Sequence, residues 1–113
     1  MTQYIIYFNQ QWVGEHSDEW FAERGALCNA VVSDIRDAGA LVFAGGVHED
    51  MSAAFTADAR SGTTAISPGP FAPGEQYLGG LTIIDVADDD AARHWAGRIA
   101  EACGWPQEVR RVS

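Results

Sequence analysis

Basic residues are scarce in this sequence. Its 113 residues include 7 arginines and no lysine against 16 aspartates and glutamates, which gives a formal net charge of -9. A field of that sign repels phosphate backbones and anionic lipid surfaces. We therefore expect neither nucleic acid nor a membrane surface as a partner.

Long hydrophobic runs and the common short motifs are missing as well. The apolar run at 4–8 is too short for a signal core or a membrane span, so we expect a cytoplasmic protein. No CxxC, HExxH, P-loop or GxGxxG pattern occurs. These motifs mark structural zinc, zinc hydrolases, nucleoside triphosphate sites and dinucleotide sites. We expect no metal and no cofactor.

Cysteine is limited to Cys28 and Cys103. One disulfide between them is conceivable, but both residues fall in segments with helical periodicity and nothing marks the chain as secreted. We therefore expect two free thiols.

The residues that are present describe one folded domain over 1–113. Hydrophobic residues make up 47% of the chain and only 4 prolines occur, which is unlike a disordered or low-complexity sequence. A chain of this length builds one hydrophobic core and not two.

Hydrophobic periodicity and turn residues predict alternating strands and helices. Ser17 precedes the first helix as an N-cap, Gly39 follows it, and acidic residues open the second helix. The predicted order is strand 3–8, helix 18–38, strand 40–47, a hairpin of 53–57 with 63–67, a proline-rich loop 68–74, strand 77–86, a helix from 88 that ends before Gly104 and Pro106, and strand 108–112.

Each predicted helix carries one apolar stripe that we expect to be buried. The first stripe contains Leu27, Val31, Ile35 and Ala38, and the second contains Ala91, Trp95, Ile99 and Ala102. In the second predicted strand, the Gly45-Gly46 pair indicates a bulge or a close backbone approach.

This order of elements is the split βαβ pattern of a ferredoxin-like α+β fold with an inserted hairpin. Two helices on one side of a four-stranded sheet leave the other side bare, and soluble proteins avoid large exposed apolar patches. We therefore expect a two-fold homodimer with the sheets packed face to face. A pocket for a small molecule would lie at that interface.

Three segments carry a resemblance to a known family. They are Gly69-Pro70-Phe71, then Gly79-Gly80 followed by a hydrophobic strand, and finally Glu108-Val109-Arg110. In order and spacing the chain resembles the YCII-related family that carries the DGPF signature. The resemblance implies a dimeric ferredoxin-like α+β barrel. Some members of that family resemble small lyases, isomerases or dehydrochlorinases.

The chain departs from the family pattern at positions that bear on chemistry. Pro68 stands where the signature has an aspartate, and Gln76 stands where a glutamate is usual. Pro73 occupies a position that is usually charged. The position in the first helix that frequently carries histidine is occupied by Cys28. A histidine and aspartate pair carried over from the family therefore fails at both positions.

His48 and Cys28 are the two candidate catalytic residues. His48 follows the Gly45-Gly46 strand, and histidine is the side chain best suited to move a proton near neutral pH. The alternative is a solvated loop histidine beside Glu49 and Asp50. Cys28 is either a nucleophile, which would require a lowered thiol pKa, or a small core residue on the helix stripe.

Trp12 and Phe71 are the two candidate pocket-lining residues. Trp12 follows the first strand and is placed to border a pocket, and we expect Phe71 to fill an apolar site. The function predicted is a small-molecule pocket protein, either a cofactor-independent lyase or isomerase that uses an acid-base residue, or a non-catalytic ligand-binding or regulatory domain that acts through a protein partner.

Overall fold

The computed structural model describes residues 1–72 and 74–113 and has an α+β architecture. Pro73, which belongs to the predicted 68–74 loop, lies outside the described residues. Within those residues there are two α-helices, a main sheet of four strands and a separate two-stranded hairpin. The elements are β1 (Thr2–Asn9), α1 (Asp18–Asp37), β2 (Leu41–Gly46), β3 (Phe55–Asp58), β4 (Ala65–Pro68), β5 (Leu78–Val86), α2 (Asp89–Cys103) and β6 (Glu108–Arg111), with short 3-10 turns at Gln10–Trp12 and Met51–Ala53.

The main sheet has the strand order β2-β5-β1-β6, and every neighbouring pair is antiparallel. The first strand, β1, therefore lies inside the sheet between β5 and β6. The sheet is open and does not close into a barrel. Hairpin β3-β4 pairs Phe55 with Pro68 and turns through Gly62, whose positive φ of 93° explains the glycine there.

Both helices begin and end at the residues that the sequence indicates. The Ser17 hydroxyl accepts a hydrogen bond from the Trp20 amide at 3.1 Å, and the Asp88 carboxylate accepts one from the Ala91 amide at 2.9 Å. These side chains satisfy amides that have no partner within the helix itself. Gly39 and Gly104 both have positive φ and terminate the helices in the left-handed conformation.

The buried faces of both helices are rotated slightly from the predicted stripes. In α1, Val31 and Ile35 are buried and Cys28 packs against the core, whereas Leu27 and Ala38 are exposed, so these last two assignments are wrong. In α2 the prediction was correct for Ile99 and Ala102, but the fully buried partners are Ala92, Ala96 and Cys103, and the predicted Ala91 and Trp95 are half-buried at the edge of the core.

The core lies between the helices and one face of the main sheet. Alternate residues of β1 and β5 point toward the helices, because successive side chains in a strand face opposite sides of the sheet. The most completely buried side chains are Ile6 of β1, Ile84 of β5 and Ile35 of α1. This layer anchors the sheet and leaves its second face toward solvent.

The glycine-rich ends of the central strands approach one another closely. Gly46 of β2 lies opposite Gly80 of β5, and a Cβ atom added to Gly80 would lie 3.3 Å from the Gly45 carbonyl oxygen. This crowding favours glycine at position 80. A Cβ atom added to Gly46 would lie 3.9 Å from the Gly79 carbonyl oxygen, which is an ordinary contact, so the close backbone approach predicted for the Gly45-Gly46 pair is not observed there. The irregularity in β2 lies between Leu41 and Phe43, so the bulge is not at the glycines.

The molecule is flat and extended. Its dimensions are 45 × 39 × 19 Å and its radius of gyration is 16.2 Å. A compact domain of this length has a radius of gyration of about 13 Å. Hairpin β3-β4 carries the exposed apolar side chains Phe55 and Ile66. None of the helices in the described residues is long and apolar enough to cross a membrane.

Candidate functional site

The second face of the main sheet is apolar and is left open by the helices. Strand alternation places Ile5 and Tyr7 of β1 on this face, because their neighbours Tyr4 and Ile6 point into the core. The register sets Ile5 opposite Ile83 and Tyr7 opposite Leu81 in β5. Phe43 of β2 pairs with Ile83 and is about half exposed. We refer to Ile5, Tyr7, Phe43, Leu81 and Ile83 as the open face.

A bulge in β5 adds Leu78 to the open face. Phe8 pairs with Gly80 while the next residue, Asn9, pairs with Leu78, so Gly79 is the extra residue. An extra residue in one strand shifts the following side chain to the other side of the sheet. Leu78 therefore lies beside Tyr7 and not beneath the helices.

A shallow hollow of about 340 Å³ opens on this face. It is lined by Ile5, Tyr7, Leu78, Leu81, Arg110 and Arg111. Its floor is aliphatic and aromatic, and Arg110, which pairs with Ile5, brings a positive charge to this side of the sheet. This composition suits a compact apolar molecule that carries a polar or anionic group.

Tyr7 brings a hydroxyl group to the hollow, and its hydrogen-bond partner Glu108 lies next to the hollow but is not among the residues that line it. The Tyr7 hydroxyl donates a hydrogen bond to the carboxylate of Glu108 in the neighbouring strand β6. This hydrogen bond, assisted by partial burial and by the carboxylate charge, raises the pKa of the Tyr7 phenol above its usual value of 10.0. Tyr7 is therefore a neutral donor at physiological pH.

Trp12, predicted to border a pocket, packs next to Tyr7. The two ring centroids are 6.3 Å apart. The Trp12 indole nitrogen donates a hydrogen bond to the side-chain oxygen of Gln76 at 3.3 Å. The side-chain nitrogen of Asn9 donates one to the same oxygen at 3.0 Å. Gln76 thus fixes the end of β1 against the segment that precedes β5. At this position the resembling family usually has glutamate.

His48 borders a second hollow of about 350 Å³, whose wall also includes Met51, Tyr77 and Leu78. Leu78 lines both hollows, so the two lie side by side at one end of the sheet. The His48 Nδ1 atom accepts a hydrogen bond from the Asp50 amide at 3.2 Å. This contact assigns the proton of the neutral ring to Nε2.

Cys28 lies in the helix layer and lines a different cavity from His48. The structure therefore does not bring the two predicted catalytic residues together. The Cys28 Sγ atom instead contacts the Cys103 Sγ atom at 2.6 Å, and both residues are free thiols as expected. Packing against the core supports the expectation that Cys28 contributes to helix packing.

Phe71 lies on the surface of the protomer. It is 64% exposed, and the Arg60 guanidinium carbon lies 4.9 Å from its ring centroid. The expectation that Phe71 fills an apolar site is wrong for the isolated protomer. Its role in lining a pocket within a dimer stays a prediction.

Sequence reasoning did not single out Tyr7 and Glu108. Alternation along β1 contained a usable signal for Tyr7, because Tyr4 and Ile6 share the opposite face. The partner of Tyr7 gave no such signal, since Glu108 lies 101 residues away in the chain. In residues 1–72 and 74–113, no three His, Cys, Asp or Glu side chains are grouped so that they could hold a metal ion.

The hydrogen bond between Tyr7 and Glu108 has a measurable consequence. We expect the Glu108→Gln variant to lower the Tyr7 pKa toward 10.0, because the amide removes both the charge and the strong acceptor. A raised phenol pKa stabilises the folded state below pH 10, and this contribution is lost as the pH rises through the folded-state value. Ultraviolet absorbance titration of the phenolates, with Tyr7→Phe identifying the Tyr7 step, measures the shift.

The control for this titration is Asp89→Asn. It replaces a carboxylate that accepts a hydrogen bond from the Tyr4 hydroxyl at 2.5 Å. It should lower the Tyr4 pKa and leave the Tyr7 step unchanged. A Tyr7 titration that does not move in Glu108→Gln would show that the carboxylate does not set the state of this phenol.

Comparison with family models gives no match for this chain, and comparison with curated proteins gives no significant relative.

Proposed function

We propose that the protein is a homodimer of ferredoxin-like protomers that binds a small molecule where the two open faces meet. The observation that carries this proposal is the open face itself, an apolar sheet surface with a polar group pair at one end. The strand order β2-β5-β1-β6, with both helices on one side, supports the ferredoxin-like topology. Two such sheets packed face to face would form the α+β barrel.

The area of the protomer supports a second copy as the cover. Its accessible surface is 7495 Å². A compact monomer of this mass exposes about 6,100 Å², so the excess is about 1,400 Å². A standard interface buries about 800 Å² on each partner. The surplus surface exceeds the share that each partner buries in a standard interface, and symmetric association of two copies is its simplest use.

Membership of the YCII-related family is part of the proposal. Its support is the sequence resemblance around Gly69-Pro70-Phe71 together with the order of elements that follows these residues. The replacement of the signature aspartate by Pro68 leaves an exposed strand residue there. The acid-base chemistry of this chain must therefore come from other side chains.

The preferred activity is a proton transfer on a compact apolar or aromatic compound, as in a cofactor-independent lyase or isomerase. His48 at one hollow presents an Nε2 proton, and Glu108, which is hydrogen-bonded to Tyr7 of the adjacent hollow, is a base that a partner sheet would partly cover.

A non-catalytic ligand-binding or regulatory domain is the second candidate. The observation that favours it is the distance in the fold between the two predicted catalytic residues, since Cys28 and His48 line different cavities. The same apolar hollow would hold a ligand without converting it.

The dimer is tested by sedimentation equilibrium of Ile83→Lys. We expect the unmodified protein to be a dimer at micromolar concentration and the variant to be a monomer, because a lysine at the centre of the open face would have to be buried without a partner charge. Ala26→Lys adds the same charge to an exposed position of α1 and should remain dimeric. A monomeric unmodified protein would refute the proposal.

The ligand is tested by a thermal-shift screen of small aromatic acids and lactones. A ligand that stabilises the native protein should lose most of that stabilisation in Ile83→Lys, because the site needs both sheets. Hits are then assayed for turnover in His48→Ala, with His94→Ala as an exposed histidine control. Turnover lost only in His48→Ala supports the enzyme, and stabilisation without turnover supports the binding domain.

A further inference from the structure

The helix side of the main sheet contains a cavity of about 460 Å³ that the proposed dimer site does not use. Its wall includes Cys28 of α1, Cys103 at the end of α2, and Phe8 and Thr82 of the sheet. Apolar surface dominates this wall. The cavity is open to solvent beside Gly25, where α1 presents no side chain to block it.

The two thiols are already in contact within this cavity. Their Sγ atoms are 2.6 Å apart, compared with about 2.05 Å in a disulfide bond. The residues are 75 positions apart in the chain, so the packing of α1 against α2 brings them together. Cys28 is half-buried and faces the cavity, whereas Cys103 is buried.

The cavity also holds polar groups for a ligand. Trp105 and Gln107 belong to its wall, and each has a buried side-chain nitrogen that finds no acceptor in the described residues. Buried donors of this kind are costly unless an acceptor or water reaches them. A small molecule with carboxylate or carbonyl oxygens would supply such acceptors.

We propose that Cys28 and Cys103 form a redox-active dithiol that reduces a small organic disulfide entering this cavity. The Cys28 thiolate attacks one sulfur of the disulfide, which forms a mixed disulfide and releases the first thiolate. Cys103 then gives up its proton and attacks the Cys28 Sγ atom, which releases the second thiol. The protein loses two hydrogens and gains one disulfide, and the organic disulfide is reduced to two thiols.

The surroundings of the two cysteines determine which thiol attacks the organic disulfide and which one resolves the mixed disulfide. The hydrogen bond from Cys103 lowers the pKa of the Cys28 thiol, with a further contribution from the positive charge of Arg24 against the opposing effect of burial. The same hydrogen bond and burial raise the pKa of Cys103. The accessible thiol is thus the better nucleophile, and the buried thiol is placed to resolve the mixed disulfide.

This inference does not rest on the proposed function. The dithiol lies among the helices, and the open face lies on the other side of the sheet. If the protein proves to be a monomer, the dithiol proposal still stands. If the dithiol proves to be inert, the dimer proposal still stands.

The test is reaction of the reduced native protein with dithiobis(nitrobenzoic acid), an aromatic disulfide that releases coloured thionitrobenzoate. We expect both equivalents of thionitrobenzoate to be released from each chain, and the intact mass to fall by two hydrogens with no adduct. The oxidised protein should unfold roughly 10 °C higher than the reduced one, because the new bond closes a long loop. Dithiothreitol should reverse both changes.

Single variants assign the two steps. Cys103→Ala should release one equivalent and retain the adduct on Cys28. Cys28→Ser should react at least about tenfold more slowly than Cys103→Ala, because Cys103 is buried. The result for the unmodified protein does not depend on whether either variant folds.

Two outcomes would overturn the proposal. One is an unmodified protein that keeps a stable thionitrobenzoate adduct or does not react while it is folded. The other is a disulfide between two chains, visible on a non-reducing gel, in place of one within a chain.

Discussion

Replacing Ile35 by alanine is expected to lower the free energy of unfolding by about 2–5 kcal/mol. Ile35 is 0% exposed and belongs to the core cluster between α1 and the main sheet. Truncation removes apolar contacts and leaves a cavity that the surrounding strands fill only in part. Urea unfolding followed by circular dichroism, at one fixed protein concentration because dimers unfold in a concentration-dependent way, measures the loss.

Leu27→Ala is the matched control for this change. The predicted stripe places both residues on one helix face, but the structure leaves Leu27 42% exposed. We expect the free energy of unfolding of Leu27→Ala to fall by no more than about 0.5 kcal/mol, as is usual for surface substitutions. Equal losses in the two variants would mean that α1 presents a different face to the sheet, and with it that the position of Cys28 is wrong.

The helices illustrate what the sequence predicts well. Their ends depend on local chemistry, a capping oxygen and a glycine with positive φ, and both helices were placed correctly at these points. Their buried faces depend on packing against a sheet that is distant in sequence. Apolar Leu27 and small Cys28 both fit the local periodicity, and only the contact with Cys103 decides that Cys28 faces inward.

The candidate site was predicted less completely for the same reason. The position of Trp12 after β1 predicts a residue that borders a pocket. Its ring packs beside Tyr7, but it is not among the residues that line the hollow, so this role stays a prediction. The link from Tyr7 to Glu108 depends on the pairing of the first strand with the last. The place of Leu78 on the open face depends on a one-residue bulge, which binary patterning does not reveal.

That bulge leads to the second large effect, which we expect from Gly79→Ala. A Cβ atom at this position would lie 2.6 Å from Phe8 Cε2 and 3.0 Å from Gln10 Cα. The Phe8 ring has Trp105 beside it at a centroid distance of 5.1 Å, and the Gln10 amide is bound to the Tyr77 carbonyl at 2.8 Å. Neither neighbour can move away freely. We therefore expect the free energy of unfolding to fall by about 1–3 kcal/mol, as at other overpacked sites.

The control is Gly97→Ala in α2, where an added Cβ atom meets nothing within 4 Å. There alanine should stabilise the protein by about 1 kcal/mol through its higher helix propensity. If the free energy of unfolding falls in Gly79→Ala and rises in Gly97→Ala, steric crowding is separated from the general effect of removing a glycine.

Phe8→Leu identifies the group responsible for the crowding. In the double variant with Gly79→Ala, the smaller side chain should recover part of the loss, since the two positions are in contact and their effects are not additive. If the changes in unfolding free energy from the two substitutions simply add, the Phe8 ring does not crowd position 79. The crowding at position 79 would then come from Gln10, whose Cα atom lies 3.0 Å from the added Cβ atom.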